Sequence, residues 1–249
     1  MPSRFDPEVS FAIERAAARA WPADEVEEVE GWLLRRTEGV NRRRSNSLLP
    51  PPSCVDAVRT VELALATAEE LGVAPVIQVS PAEVHLGLDE ALEDRGMTVG
   101  GRTLVLAGPL APRPSPGDVR LGALDDEWVQ AWAEVTGGDP AAARATADLV
   151  LSQLGDRARY ARLGRGGRIL AVAVGVLDVD WLGVFSLAVT PAARRRGVAS
   201  DVMDALEGWA LQAGARQLYL QVEADNEAAL QLYARRGMTV AHSYHYRSE

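Results

Sequence analysis

The second half of the chain carries two interleaved hydrophobic periods. Residues 157–163 alternate apolar with polar positions, the signature of a strand covered on one face. Residues 169–177 and 181–189 are almost continuously apolar, which predicts central strands covered on both faces. Residues 119–121, 217–222 and 244–247 read as further strands, and 164–167, with three glycines, as a hairpin turn. Helical spacing holds over 127–136 and 141–154, the latter entered through Asp139-Pro140, a cap followed by proline in the first turn. Over 198–213, Val198, Val202, Ala205, Leu206, Trp209 and Ala213 keep one face, and Gly214 ends the helix. A last helix over 227–236 closes at Gly237. Mixed strands followed by β-α-β-α-β predict a layered α/β (α+β) sheet.

The first half repeats part of this order. Asp94-Arg95-Gly96-Met97-Thr98-Val99 echoes Arg235-Arg236-Gly237-Met238-Thr239-Val240. Upstream, Gly72 and the strand at 76–79 echo Gly214 and the strand at 218–222. The shared helix–Gly–strand–helix–Gly-Met order points to a duplication. Between the halves, Pro109, Pro112, Pro114 and Pro116 with Gly117 can continue neither a helix nor a central strand, so the segment reads as a stiff linker.

Composition narrows the partners. The chain has 249 residues, 47% hydrophobic and 24% charged, as in ordinary globular domains, and its length allows one large domain or two small ones. The net charge of −9 argues against a nucleic-acid partner. No apolar run approaches the ~20 residues that span a bilayer, and the first residues carry no apolar targeting core, so the expectation is a cytoplasmic protein that binds no membrane. Cys54 is the sole cysteine and the three histidines are scattered, so no metal site is expected. All 26 bases are arginine, which fits the codon usage of a GC-rich genome.

The candidate chemistry lies where the 181–189 strand runs through Pro191 into Arg194, Arg195, Arg196, Gly197, Val198 and Ala199. The N–H groups at a helix start, with the helix dipole, make an anion site. Gly197 permits close backbone approach, Ala199 keeps the first turn thin, and the arginines add charge. Downstream, Asn226, Ala229, Leu232, Tyr233, Gly237 and Met238 form N-x-x-A-x-x-L-Y-x-x-x-G-M. Turn and string together, over residues 184–238 and through the element order back to Val119, resemble the GNAT superfamily of acyl-CoA-dependent N-acetyltransferases.

The resemblance implies a mixed, splayed central sheet flanked by helices, in two tandem copies. Residues 1–108 would be a degenerate copy, 109–118 a Pro-rich linker and 119–249 the catalytic domain. Acetyl-CoA would be the cosubstrate, with no metal. Arg194, Arg195, Arg196, Gly197, Val198 and Ala199 would hold its pyrophosphate, and Leu187, Ala188 and Val189 would offer backbone groups to the pantetheine arm. Asn226 would bind the arm near the splay; its simpler role is a helix cap. Tyr233 would stand near the thioester sulfur as general acid. Relatives that carry a base on the strand before the cradle place it at positions matching Gly183 and Phe185, and others at that of Gln221. None of these can take a proton, so Glu223, two residues on and on the same strand face, is the remaining carboxylate. Asp178, Asp180, Glu134 and His245 are weaker candidates, and a water relay is an alternative.

In the first half, Pro52 to Ala57 stand opposite the arginine turn and offer neither glycine nor arginine. The position matching Tyr233 falls in 89–93, without a tyrosine. Residues 31–36 and 41–46 resemble a strand pair, with Arg42, Arg43 and Arg44 either a solvated face or a wall of the acceptor cleft. The implied activity is acetyl transfer to a primary amine, on a small molecule or a peptide, by direct attack in a ternary complex. The protein would be a monomer or a homodimer. Another acyl donor, a CoA-sensing or protein-binding module without turnover, and a scaffold of two pseudo-domains remain open on the sequence.

Overall fold

A computed structural model describes residues 6–54, 56–70, 72, 74–114 and 117–249. In chain order the elements are α1 (Pro7–Ala20), β1 (Glu25–Val29), β2 (Trp32–Arg36), β3 (Ser47–Leu49), α2 (Ala57–Glu70), β4 (Ile77–Val79), α3 (Leu86–Glu93) and β5 (Thr98–Pro109). The second half adds β6 (Val119–Gly122), α4 (Asp126–Thr136), α5 (Pro140–Leu149), β7 (Ala158–Arg165), β8 (Arg168–Asp178), β9 (Trp181–Val189), α6 (Val198–Gln212), β10 (Gln217–Glu223), α7 (Glu227–Arg235) and β11 (Thr239–Ser248). Asp6, Asp125 and Asp139 cap α1, α4 and α5, each side chain accepting from a free N–H of the first turn.

All the strands join one mixed sheet in the order β1-β2-β3-β4-β11-β5-β10-β9-β8-β7-β6. The two halves exchange their last strands. β5 of the first half lies between β10 and β11, and β11 of the second half lies between β4 and β5. The exchange is symmetric in register: Thr98 faces Ser248 while Thr239 faces Ala107, and Gln78 faces Tyr246 while Gln221 faces Val105. At the ends of the β5–β11 ladder, adding 141 to Thr98 or Val99 gives Thr239 or Val240 in the equivalent pairing, while bulges between Val240 and His242 and between Tyr244 and Tyr246 break the match in the middle. The duplication legible in Arg95 to Val99 and Arg236 to Val240 is therefore a two-fold relation between the halves.

Helices cover both faces. On one, α6 and α7 bury Val198, Val202, Leu206 and Tyr233 against Leu182, Val184, Leu218 and Leu220. On the other, α1, α4 and α5 cover Val172, Val174, Phe185 and Tyr219. A third cluster lies under α2 and α3 and includes Trp32, Leu48, Ile77 and Leu92.

Four expectations shift. Residues 41–46 are not a strand but a loop with a 3-10 turn at Arg43–Ser45. Its arginines stack on aromatic rings: Arg42 on Trp132, Arg43 on Tyr246, Arg44 on Trp21 and Phe185. The helix expected to reach residue 154 ends at Leu149. Val150 N–H closes the last turn on the Thr146 carbonyl, and a 3-10 stretch follows, bent where Gly155 takes φ 52°. The last strand is longer than 244–247 because β4 and β5 offer it ladders on both sides. Finally, the Pro-rich segment begins inside β5, and its described start is held to the second half. Pro109 still pairs with Gln217, Leu110 N–H donates to the Arg216 carbonyl at 2.9 Å, and Arg113 reaches the Arg236 carbonyl at 3.3 Å.

Candidate active site

β9 and β10 run parallel and pair from Trp181 with Gln217 to Val184 with Leu220, and then part. Beyond that point β10 stays with β5, through Gln221–Val105, Val222–Leu104 and Glu223–Thr103. β9 stays with β8 and carries a bulge where Ser186 takes φ 53°. Two strands held by different outer neighbours leave a fork open at its mouth. Ladder alternation, with Thr190 N–H bonded to the Leu170 carbonyl, turns backbone groups of Leu187 and Val189 toward that gap.

The cradle sits at the same end. After a 3-10 turn at Pro191–Ala193 the chain passes Arg195 at φ 60° and reaches Gly197 at φ 82° as the N-cap of α6. No side chain caps α6, so its first N–H groups point outward from successive left-handed turns, a nest for an anion. A Cβ on Gly197 would meet nothing within 4 Å, so the space before the helix is open. Arg194, Arg195 and Arg196 are exposed around it; Arg194 Nε donates to the Val189 carbonyl at 3.3 Å. Val198 is buried and fixes the helix start, while Ala199 is half-buried on the rim. Farther along α6, Asp204 and Glu207 bind Arg236, both at 2.6 Å, and tie α6 to the end of α7.

Tyr233 lies on α7, on the α6 side of the sheet. It is buried with Leu220, Val222 and Met238, and burial pushes its phenol up to about 12, slightly offset by Arg236. Asn226 caps α7 by accepting from Ala229 N–H at 3.2 Å, so the simpler role is present; its Nδ2 has no partner among the described residues. Glu223 is exposed at the end of β10. Strand alternation puts it with Gln221 and Tyr219 on the α1–α4 side, opposite Tyr233.

The absence of a base at residue 183 has a steric cause. A Cβ there would lie 2.5 Å from the Tyr219 hydroxyl and 2.8 Å from the Phe185 ring. The weaker candidates have other partners. Asp178 binds Arg19 at 2.6 Å, His245 contacts Asp89 at 2.8 Å, and Glu134 accepts from Gln130 at 3.0 Å. Asp180 serves through its carbonyl, which accepts from Arg216 and Gln217.

On the α1–α4 side of the fork stands the arginine turn, for which the sequence left a solvated face and a wall of the acceptor cleft both open. Phe185 and Gln221 are the first residues past the last β9–β10 pair. The Arg44 guanidinium lies 5.4 Å from the Phe185 ring centre and donates to the Tyr244 hydroxyl at 3.3 Å, and that hydroxyl donates to Gln221 Oε1 at 3.2 Å. A first-half side chain thus stands at a second-half fork. Only the strand exchange brings them together, so no local motif could announce it. A cavity of about 940 Å³ lies beside this turn in the first half; Arg42 and Arg43 are on its wall, and no cradle residue is. Among the described residues, no group of three or more His, Cys, Asp or Glu side chains could hold a metal, and no helix is long and apolar enough to cross a membrane.

Comparison with known proteins agrees with the fold. Residues 11–247 match a family described as "Probable histone acetyltransferase Rv0428c C-terminal". The chain is 25% identical over 242 residues to the uncharacterized N-acetyltransferase YobR of Bacillus subtilis (strain 168), covering 94% of this chain and 96% of that protein. In fold it resembles a GCN5-related N-acetyltransferase from Kribbella flavida, with a TM-score of 0.68 at 14% identity over 97% of this chain and 95% of the other. It also resembles a tandem GNAT protein from the clavulanic acid biosynthesis pathway, with a TM-score of 0.59 at 10% identity over 95% and 87% of the two chains.

Proposed function

The chain belongs to that acetyltransferase family and is a GNAT-type N-acetyltransferase, and from that premise we propose that it carries one acetyl-CoA site, in residues 119–249, and transfers the acetyl group to a primary amine by direct attack. Residues 1–108 would form the degenerate copy and 109–118 the connection. The observation that supports this most is the coincidence of cradle and fork: the uncapped α6 start at Gly197 opens at the end where β9 and β10 part.

In this reading the pyrophosphate sits on the N–H groups of Val198 and Ala199, with Arg194, Arg195 and Arg196 beside it. The pantetheine arm runs along Leu187, Ala188 and Val189, with Asn226 Nδ2 as a further donor, and the thioester lies in the fork. The amine arrives from the side of Phe185, Gln221 and Glu223. Tyr233 lies on the opposite side and meets the sulfur. A phenol near 12 stays protonated throughout the neutral range. A thiol ionises at about 8.5, so full proton transfer from Tyr233 is uphill by about 5 kcal/mol. Tyr233 therefore acts chiefly as a hydrogen-bond donor to the sulfur as negative charge develops. The acceptor's proton leaves through Glu223 or through water.

Calorimetric titration of the full chain with acetyl-CoA tests the donor half of this reading, and the expected stoichiometry is one. Thiol release on addition of an amine tests turnover. Binding without thiol release across a broad amine panel would favour a CoA-sensing module.

A further inference from the structure

The arginine turn of the first half is not absorbed by donor binding. It contains three consecutive arginines in a chain of net charge −9, and Arg42, Arg43 and Arg44 pair with no carboxylate among the described residues. Other arginines near the turn are neutralised or occupied. Arg36 binds Glu25 at 3.1 Å and Glu38 at 3.4 Å, and buried Arg35 donates to Ser47 and Gln78. Stacking on Trp132, Tyr246, Trp21 and Phe185 fixes the directions of the three guanidiniums without satisfying their charge. Arg44 is half-buried at the fork, where a charge without a counter-ion is costly. Among the described residues its polar partner is the Tyr244 hydroxyl, which leaves most of its five N–H donors unpaired.

We propose that this turn is the acceptor-recognition element, and that the acceptor is a small amine that also carries a carboxylate. The inference rests on the acetyl-transfer reading above and adds the acceptor's chemical class. The carboxylate binds the open N–H edge of Arg44, with Arg43 and Arg42 extending the positive wall outward. Arginine suits the task because its planar fork matches a carboxylate in two parallel hydrogen bonds. The amine is thereby held on the Phe185 and Gln221 side of the thioester. The first half has lost its own cradle and contributes specificity to the second.

The test uses the full chain, acetyl-CoA and pairs of acceptors that differ only in carboxylate versus carboxamide, such as amino acids and their amides. The expected result is a kcat/KM at least about tenfold higher for the carboxylate member, the worth of one charge-assisted hydrogen bond. Arg44→Gln and Arg43→Gln should raise KM for that member by about tenfold or more while acetyl-CoA affinity stays unchanged, which also shows the variants are folded. Arg44→Lys, which keeps charge but loses the fork, should fall between. Equal rates within each pair, faster turnover of the amides, or variants with unchanged KM would overturn the proposal and leave donor binding and acetyl transfer intact. Failure of acetyl-CoA to bind at all would overturn the underlying reading as well.

Discussion

The two halves meet around a two-fold relation, yet their forks differ. In the first half, β3 and β4 are parallel and pair only at Leu48 with Ile77; in the second, β9 and β10 pair from Trp181 to Val184 before opening. α6 begins with an uncapped nest at Gly197, whereas α2 begins at Ala57 behind a proline-rich stretch without glycine. The residue equivalent to Tyr233 by the offset of the repeat is Leu92, fully buried. What survives in both halves is apolar: strand order, helix faces and the exchanged ladder. What differs is polar and sits at helix starts and strand ends. A duplicated scaffold can lose a cradle without losing stability, because burial supports the fold and the cradle adds little to burial.

The largest effects should come from erasing that polar difference. Gly197→Asp keeps a residue type that tolerates positive φ but puts a negative charge where the pyrophosphate is proposed to sit. Acetyl-CoA affinity should fall by about 100-fold or more in calorimetry, equivalent to losing two charge-assisted hydrogen bonds. A stoichiometry of two for the unaltered chain would break the contrast outright. Tyr233→Phe removes only the hydroxyl and should lower kcat by about 100-fold with donor affinity unchanged, as for loss of one preorganised donor. Because burial holds Tyr233 up near 12, its ionisation should impose no alkaline limb on kcat below about pH 11.

The matching change in the first half should act on stability instead. Leu92→Ala empties a fully buried site and should cost about 2–5 kcal/mol in denaturant unfolding, with little change in kcat for the folded fraction. A second first-half prediction concerns pH. Burial pushes the His85 imidazole down to about 4, below its usual 6.5. The unfolded chain therefore takes up this proton first. The stabilisation is complete above 6.5 and is lost as pH falls from 6.5 toward 4, by roughly 3 kcal/mol at most. His85→Leu should flatten that part of the stability profile; an unchanged slope would remove His85 from the account. The smallest effect should come from Glu223→Gln, less than about tenfold in kcat and relieved at higher pH, where more of the acceptor amine is already neutral.

Much of this was legible in the chain because it depends on local chemistry. Hydrophobic period marked the strands from 157 onward, Asp139-Pro140 announced a helix start, and Gly214 and Gly237 marked helix ends; these boundaries differ by a residue or two in the structure, except that the last strand begins at 239 rather than 244. The candidate cradle was legible only together with the string from Asn226 to Met238 about 30 residues on, since an arginine turn with one glycine also fits an ordinary strand-to-helix connection. Where the structure departs from expectation, the deciding partner is remote. Residues 41–46 look like a strand by themselves but form a loop because Trp132, Tyr246 and Phe185 receive the arginine side chains.

Sequence alone determined most of the elements and marked where an anion could be held, since each of these follows from residues within one or two turns of one another, and the repeat was legible as matching strings. Only the tertiary structure decided which strands are neighbours. A β-strand offers two hydrogen-bonding edges and does not encode who fills them. Here β5 and β11 fill each other's, and that exchange brings Arg44 to Phe185 and, through Tyr244, to Gln221. Gly183 shows the same division. As a letter it is only an absent base, but beside the Tyr219 hydroxyl it is the one residue that fits.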